Sequence, residues 1–149
     1  MRILVAEDEK MARFALHTSL VSWGYEVIEA EDGKTALEIL ESEDCPGMAI
    51  LDWAMPGING LEVCKKIREV EKDREKYVYI IFVTGKQEFE NMVEGFEAGV
   101  DDYIIKPFEP MELRARVKAG VRILDLQEKL RQAKKQAGAE NSENGGTPG

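Results

Sequence analysis

Five short apolar runs punctuate the chain, at Ile3 to Ala6, Glu26 to Ala30, Met48 to Leu51, Tyr79 to Val83 and Tyr103 to Ile105. Amphipathic segments of helical length fill the intervals: Lys10 to Trp23, Gly33 to Ser42, Gly60 to Glu71, Gln87 to Ala98, and a last one from Pro110 onward. The alternation is β-α, repeated five times. Asp32 stands where an N-cap belongs, before "GKTALEIL", and Gly24 and Gly99 stand where glycines end helices. Runs that are apolar throughout indicate a sheet covered on both faces, as in parallel α/β proteins. The expected fold is therefore a doubly wound, five-stranded parallel sheet in the order 2-1-3-4-5.

Ligands of open α/β sheets bind beyond the carboxyl ends of the strands, where the strand order reverses. Glu7 and Asp8 follow the first run, Asp52 the third, Thr84 the fourth and Lys106 the fifth. In the expected order the first and third strands are neighbours, so Glu7, Asp8 and Asp52 share one pocket. Two like charges about 4 Å apart repel by roughly 4 kcal/mol at an effective dielectric near 20, and a divalent cation relieves that cost. Carboxylate oxygens suit Mg²⁺, with Mn²⁺ as a substitute. Lys106 and the Thr84 hydroxyl then offer a cation and a donor to a phosphoryl oxygen. An aspartate carboxylate is ionised at neutral pH and needs no general base, so Asp52 reads as a nucleophile presented beside a metal.

At these residues the sequence resembles the response-regulator receiver domains of two-component signalling, from about Arg2 to Val121. The resemblance rests on "AEDE" with Glu7 and Asp8, on "DWAMPGING" with its D-x-x-M-P-x-x-x-G spacing, on "VTG" with Thr84, and on "DDYIIKPF" with Lys106 and Pro107. It implies a flavodoxin-like fold in which Asp52 is phosphorylated by a histidine kinase, a phosphotransfer protein or a small acyl phosphate. Mg²⁺ would be held by Glu7, Asp8, Asp52 and the main-chain carbonyl of Ala54. Lys106 would contact the phosphoryl group, with the Lys106–Pro107 bond cis. Thr84 and Tyr103 would be the switch pair, acting on the face of the fourth helix, fifth strand and fifth helix. The side chains of Ala54 and Lys86 would tune the rate at which water removes the phosphoryl group.

Plainer roles compete for single positions. Asp8 would serve as a helix cap, Thr84 as a strand-end hydroxyl, and Tyr103 and Trp53 as core aromatics. His17, the only histidine, falls inside the first helix and away from every strand end. Glu31 and Asp32 follow an edge strand and read as capping or solvated, and Cys45 and Cys64 as reduced bystanders. A phosphohydrolase with an aspartyl-phosphate intermediate needs a second acid two residues after its nucleophile, where this chain has Ala54. A phosphate-independent scaffold would lack an acid or the lysine, and neither is missing.

A formal net charge of -9 argues against direct nucleic-acid binding, and the longest apolar run, Tyr77 to Val83, is too short to span a bilayer. With no signal-like start, the expected location is the cytoplasm. The expected organisation is a receiver over 1–122, a helical extension over 123–137 and a disordered tail over 138–149, with no effector domain. Ile123, Leu126, Leu130, Ala133 and Ala137 recur at spacings of three and four. This suggests a connector or short coiled coil, and a homodimer through the switch face and the C-terminal helix.

Overall fold

The computed structural model describes residues 1–85 and 89–145. Five strands, β1 (Arg2–Ala6), β2 (Glu26–Ala30), β3 (Met48–Asp52), β4 (Tyr79–Thr84) and β5 (Asp102–Ile105), form one parallel sheet in the order β2-β1-β3-β4-β5. The helices between and after them are α1 (Lys10–Ser22), α2 (Gly33–Glu41), α3 (Gly60–Glu71), α4 (Phe89–Ala98) and α5 (Pro110–Gly145). Fold class and strand order are as the sequence predicts.

The two-residue period of a strand divides the core into two layers. Leu4 and Ala6 of β1, Ala49 and Leu51 of β3, and Ile80 and Phe82 of β4 pack with α2, α3 and the end of α4. Their neighbours Ile3, Val5, Met48, Ile50, Ile81 and Val83 face the other way, against Leu16 and Leu20 of α1 and Leu113 and Val117 of α5. Every residue of β3 and β4 is buried, as expected of central strands. The edge strand β2 exposes Glu26 and Glu29.

Local punctuation matches the sequence signals. The Asp32 carboxylate accepts a hydrogen bond from Thr35 N at 2.7 Å and caps α2, while Gly24 and Gly99 hold φ of 94° and 105°. Asn59 caps α3 in the same way, accepting from Glu62 N at 2.9 Å.

The last helix is extended, as the sequence predicts, and only its end differs from expectation. α5 is continuous from Pro110 to Gly145, and the residues from Gly138 to Gly145, whose composition suggests disorder, are helical. Helix propagation explains this: once a long helix is nucleated, each further residue fixes few dihedrals for one more hydrogen bond. Residues 146–149 lie outside the described residues.

Candidate phosphoacceptor site

The parallel register brings the carboxyl ends of the strands level. Ala6 lies beside Ala30 and Leu51, Asp52 beside Val83, and Thr84 beside Ile105. The next turns of chain therefore gather Glu7, Asp8, Asp52, Thr84 and Lys106 at one edge. Each of Glu7, Asp8 and Asp52 offers a carboxylate oxygen, and these oxygens lie within 4.8 Å of one another. Glu7 and Asp52 are buried, at 2% and 8% exposure, whereas Asp8 is exposed.

Lys106 closes the site. Its Nζ donates to Asp52 Oδ2 at 2.9 Å and lies 3.5 Å from Glu7 Oε2, and the Lys106–Pro107 bond is cis. Burial works against the ammonium, but its hydrogen bonds and ion pairs with Asp52 and Glu7 outweigh that and hold its pKa above the ordinary lysine value. Glu7 is pushed the other way. Burial, then a shared hydrogen bond and repulsion from Asp52, raise its pKa to about 8, with Lys106 only partly opposing. Among the described residues Lys106 is the one lysine paired with this acid cluster, and it offsets only part of the cost of burying Glu7 beside Asp52. Three hard oxygen donors around a common point fit Mg²⁺.

Asp52 is fixed from the other side by the Ala54 N–H, which donates to Oδ1 at 3.0 Å. The motif glycine eight residues on has a steric reason. A Cβ on Gly60 would lie 2.5 Å from the Asp52 carbonyl oxygen, and Gly60 N donates to Trp53 O at 2.9 Å. Gly57, at φ 73°, turns the chain between them.

Asp8 does not cap α1: Glu9 is the N-cap, and it makes no side-chain cap bond. Thr84 is buried at the end of β4. Tyr103 is also buried, with its hydroxyl donating toward Asn91 O at 3.1 Å and Met92 O at 3.2 Å. Its ring meets Phe82 at 5.7 Å, Phe96 at 5.1 Å and Trp53 at 6.5 Å, a path of rings from the residue after Asp52 to the surface of α4. There Phe96 stays half exposed beside a groove of about 420 Å³ that Tyr103, Lys106, Pro107 and Arg116 also line. Lys86 lies outside the described residues.

Two contributors escaped the sequence reading. Arg13 is buried and donates to the carbonyl oxygen of Glu7 at 2.9 Å and, more loosely, of Asp8 at 3.5 Å, steadying the peptide that carries both acids. Its signal was an arginine at the head of the buried stripe Arg13, Leu16, Leu20. Gly95 is the second: a side chain there would overlap the Tyr103 hydroxyl.

Comparison with known proteins agrees with this geometry. Residues 3–118 match the model of the response regulator receiver domain. Among curated relatives, the transcriptional regulatory protein ResD of Bacillus subtilis (strain 168) is 45% identical over 122 residues, covering 81% of this chain and 48% of that protein. The alkaline phosphatase synthesis transcriptional regulatory protein PhoP of the same organism is 42% identical, with the same coverage. The chain thus spans about half the length of the curated relatives it matches. Among solved structures, the response regulator TrrA of Thermotoga maritima in complex with Mg²⁺-BeF is 38% identical, with a TM-score of 0.69 over 80% of this chain and 97% of that one. A CheY-like receiver domain protein from Methanospirillum hungatei JF-1 is 32% identical, with a TM-score of 0.73 over 86% and 96%.

Proposed function

The chain belongs to the response regulator receiver domain family, and from that premise we propose that Asp52 is the phosphoacceptor of a two-component relay. The supporting observation is the position of Asp52: a buried carboxylate at a strand end, 2.9 Å from a lysine ammonium and clustered with two further acids. In the proposed step an Asp52 oxygen attacks phosphorus in line, an acyl phosphate forms, and the bond to the donor breaks. The donor is the phosphohistidine of a histidine kinase or phosphotransfer protein, whose imidazole leaves with the electron pair and takes up a proton, or a small acyl phosphate.

Glu7, Asp8, Asp52 and the main-chain carbonyl of Ala54 would hold Mg²⁺, or Mn²⁺ in its place. When bound, the ion supplies positive charge to the phosphoryl oxygens. Lys106 is poised to follow Asp52 Oδ2 and pair with a phosphoryl oxygen, and Arg13 keeps the Glu7 and Asp8 backbone in place. Positioning and charge neutralisation are most of what phosphoryl transfer asks of a protein.

Thr84 and Tyr103 would then carry the switch. The Thr84 hydroxyl would donate to the phosphoryl group, and Tyr103, packed beneath α4, would respond to the space that opens. Moving a two-state equilibrium from 1:99 to 99:1 takes about 5.5 kcal/mol, and a charged hydrogen bond contributes roughly 1.5–3 kcal/mol. Two or three new contacts would suffice. The responding surface would be the α4-β5-α5 face, where Val93 and Phe96 are exposed and Arg116 pairs with Asp102 at 2.9 Å. Self-association through that face on phosphorylation is part of the proposal. The relatives named as transcriptional regulators are about twice the matched length, so the proposal for this chain is confined to the receiver.

Intact mass after incubation with acetyl phosphate and Mg²⁺ tests the reading. The expected result is a gain of about 80 Da, one phosphoryl group, that is lost with Asp52→Ala and with EDTA. An adduct that survives Asp52→Ala would place the chemistry elsewhere. No adduct under any condition would favour a phosphate-independent scaffold.

A further inference from the structure

We propose that the distal half of α5 docks a partner helix with acidic flanks, and not a second copy of this chain. Ile123, Leu126 and Leu130 are exposed at 41%, 65% and 57%. With Ala133 and Ala137 they form one stripe, in which Ile123, Leu130 and Ala137 take the a positions of a heptad and Leu126 and Ala133 the d positions. The flanking g positions are then Arg122, Lys129 and Gln136, and the e positions Gln127 and Lys134.

None of these five flanking residues is an acid. The nearby acids, Asp125 and Glu128, occupy the far side of the helix, where Glu128 pairs with Arg131 and accepts from Gln132. Among the described residues Arg122, Lys129 and Lys134 make no ion pair. In a chain of net charge -9, the stretch from Arg122 to Gln136 carries five basic residues against two acids.

The e and g positions set partner choice and orientation in paired helices. In a parallel homodimer Lys129 of one copy faces Lys134 of the other, twice over. In an antiparallel one, e faces e and g faces g, again with no acid to meet a base. Every self-pairing on this stripe is repulsive or neutral, which disfavours the homotypic complex. A helix with Glu or Asp at its own e and g positions meets complementary charge instead. The small Ala133 and Ala137 let such a helix approach closely. An anionic bilayer fits less well, because the exposed stripe has three large apolar residues, Ile123, Leu126 and Leu130, and no aromatic ring to bury in an interface.

The test uses the full chain and two synthetic helical peptides with the same Leu/Ala seam, one with Glu at every e and g position and one with Lys. By fluorescence anisotropy the Glu-flanked peptide is expected to bind at least about tenfold more tightly, about 1.4 kcal/mol. Lys129→Glu with Lys134→Glu should reverse that preference, and Leu126→Asp with Leu130→Asp should abolish binding by either peptide. All these sites are exposed, so circular dichroism should show unchanged folding. In sedimentation, Lys129→Glu alone turns the parallel Lys-Lys pair into Glu-Lys and should raise self-association above wild type. The proposal fails if the two peptides bind equally or not at all. It also fails if Leu130→Asp dissociates a wild-type dimer, or if phosphatidylserine vesicles bind the stripe while the Glu-flanked peptide does not.

Discussion

Among the described residues, Lys106 is the cation on which the charge balance of the site turns, since it serves both Asp52 and Glu7. Lys106→Met keeps the stem and removes the charge, and phosphorylation by acetyl phosphate should slow by about 10²–10³-fold, the usual cost of losing one group that meets developing charge. Time-resolved intact mass measures it. Glu7 gives a pH signature in the metal-free protein. Its folded pKa, about 8, lies above the ordinary value of 4.5, so its contribution to stability is complete below about pH 4.5 and is lost as pH rises through about 8. The melting temperature without metal should therefore fall across that window, and Glu7→Gln should flatten the fall. Mg²⁺ needs the ionised carboxylate, so its stabilising effect should grow over the same range, read as the Mg²⁺-induced shift in melting temperature at each pH. Asp52 announced itself in the sequence by ending an apolar run. Arg13 stood at the head of the buried stripe of α1, but that place gives no indication of the carbonyls it meets, which only the folded turn after β1 supplies.

Elements are held in register by polar clasps as well as by apolar layers. Arg68 of α3 donates to Gly99 O at 3.0 Å and Val78 O at 2.8 Å, and pairs with Glu71 at 2.7 Å and Asp101 at 2.9 Å. Its guanidinium also covers the Tyr77 ring at 4.3 Å. One side chain thus joins α3 to the starts of β4 and β5. Arg68→Ala would leave two partly buried acids without their cation, though Glu71 keeps Val78 N and Asp101 keeps the Tyr77 hydroxyl and Ile80 N as donors, and urea unfolding should show a loss of about 3–5 kcal/mol. Gly60→Ala tests the contact between α3 and β3. A methyl 2.5 Å from the Asp52 carbonyl should cost about 1–3 kcal/mol and displace Asp52, so phosphorylation should slow along with the loss of stability. Helix and strand positions were legible because apolar spacing and caps carry them, down to Asp32 and Gly99. The Arg68 clasp was not, because its partners lie 3 to 33 residues away and only the folded sheet brings them together.

At the scale of the molecule, the compact sheet and the long final helix are separable in stability. α5 runs for 36 residues, about 54 Å at 1.5 Å per residue, while its buried contacts end near Leu124. Beyond that point the exposed Lys135–Glu75 pair at 3.6 Å is a weak tie. A chain ending after Leu130 should lose helical ellipticity in proportion to the residues removed, yet unfold within about 2 °C of the full chain, as surface changes usually do. The end of α5 was misjudged from composition because Gly138 and the polar residues after it offer nothing to bury, and cooperativity along a helix is invisible to a residue-by-residue reading. That continuity has a mechanical meaning. α5 starts four residues after Lys106, so the rod is rooted beside the site, and a tilt of about 5° at its base would swing the far end by about 5 Å. A small rearrangement around one carboxylate is thereby converted into a displacement large enough for a neighbour to register as a change of place.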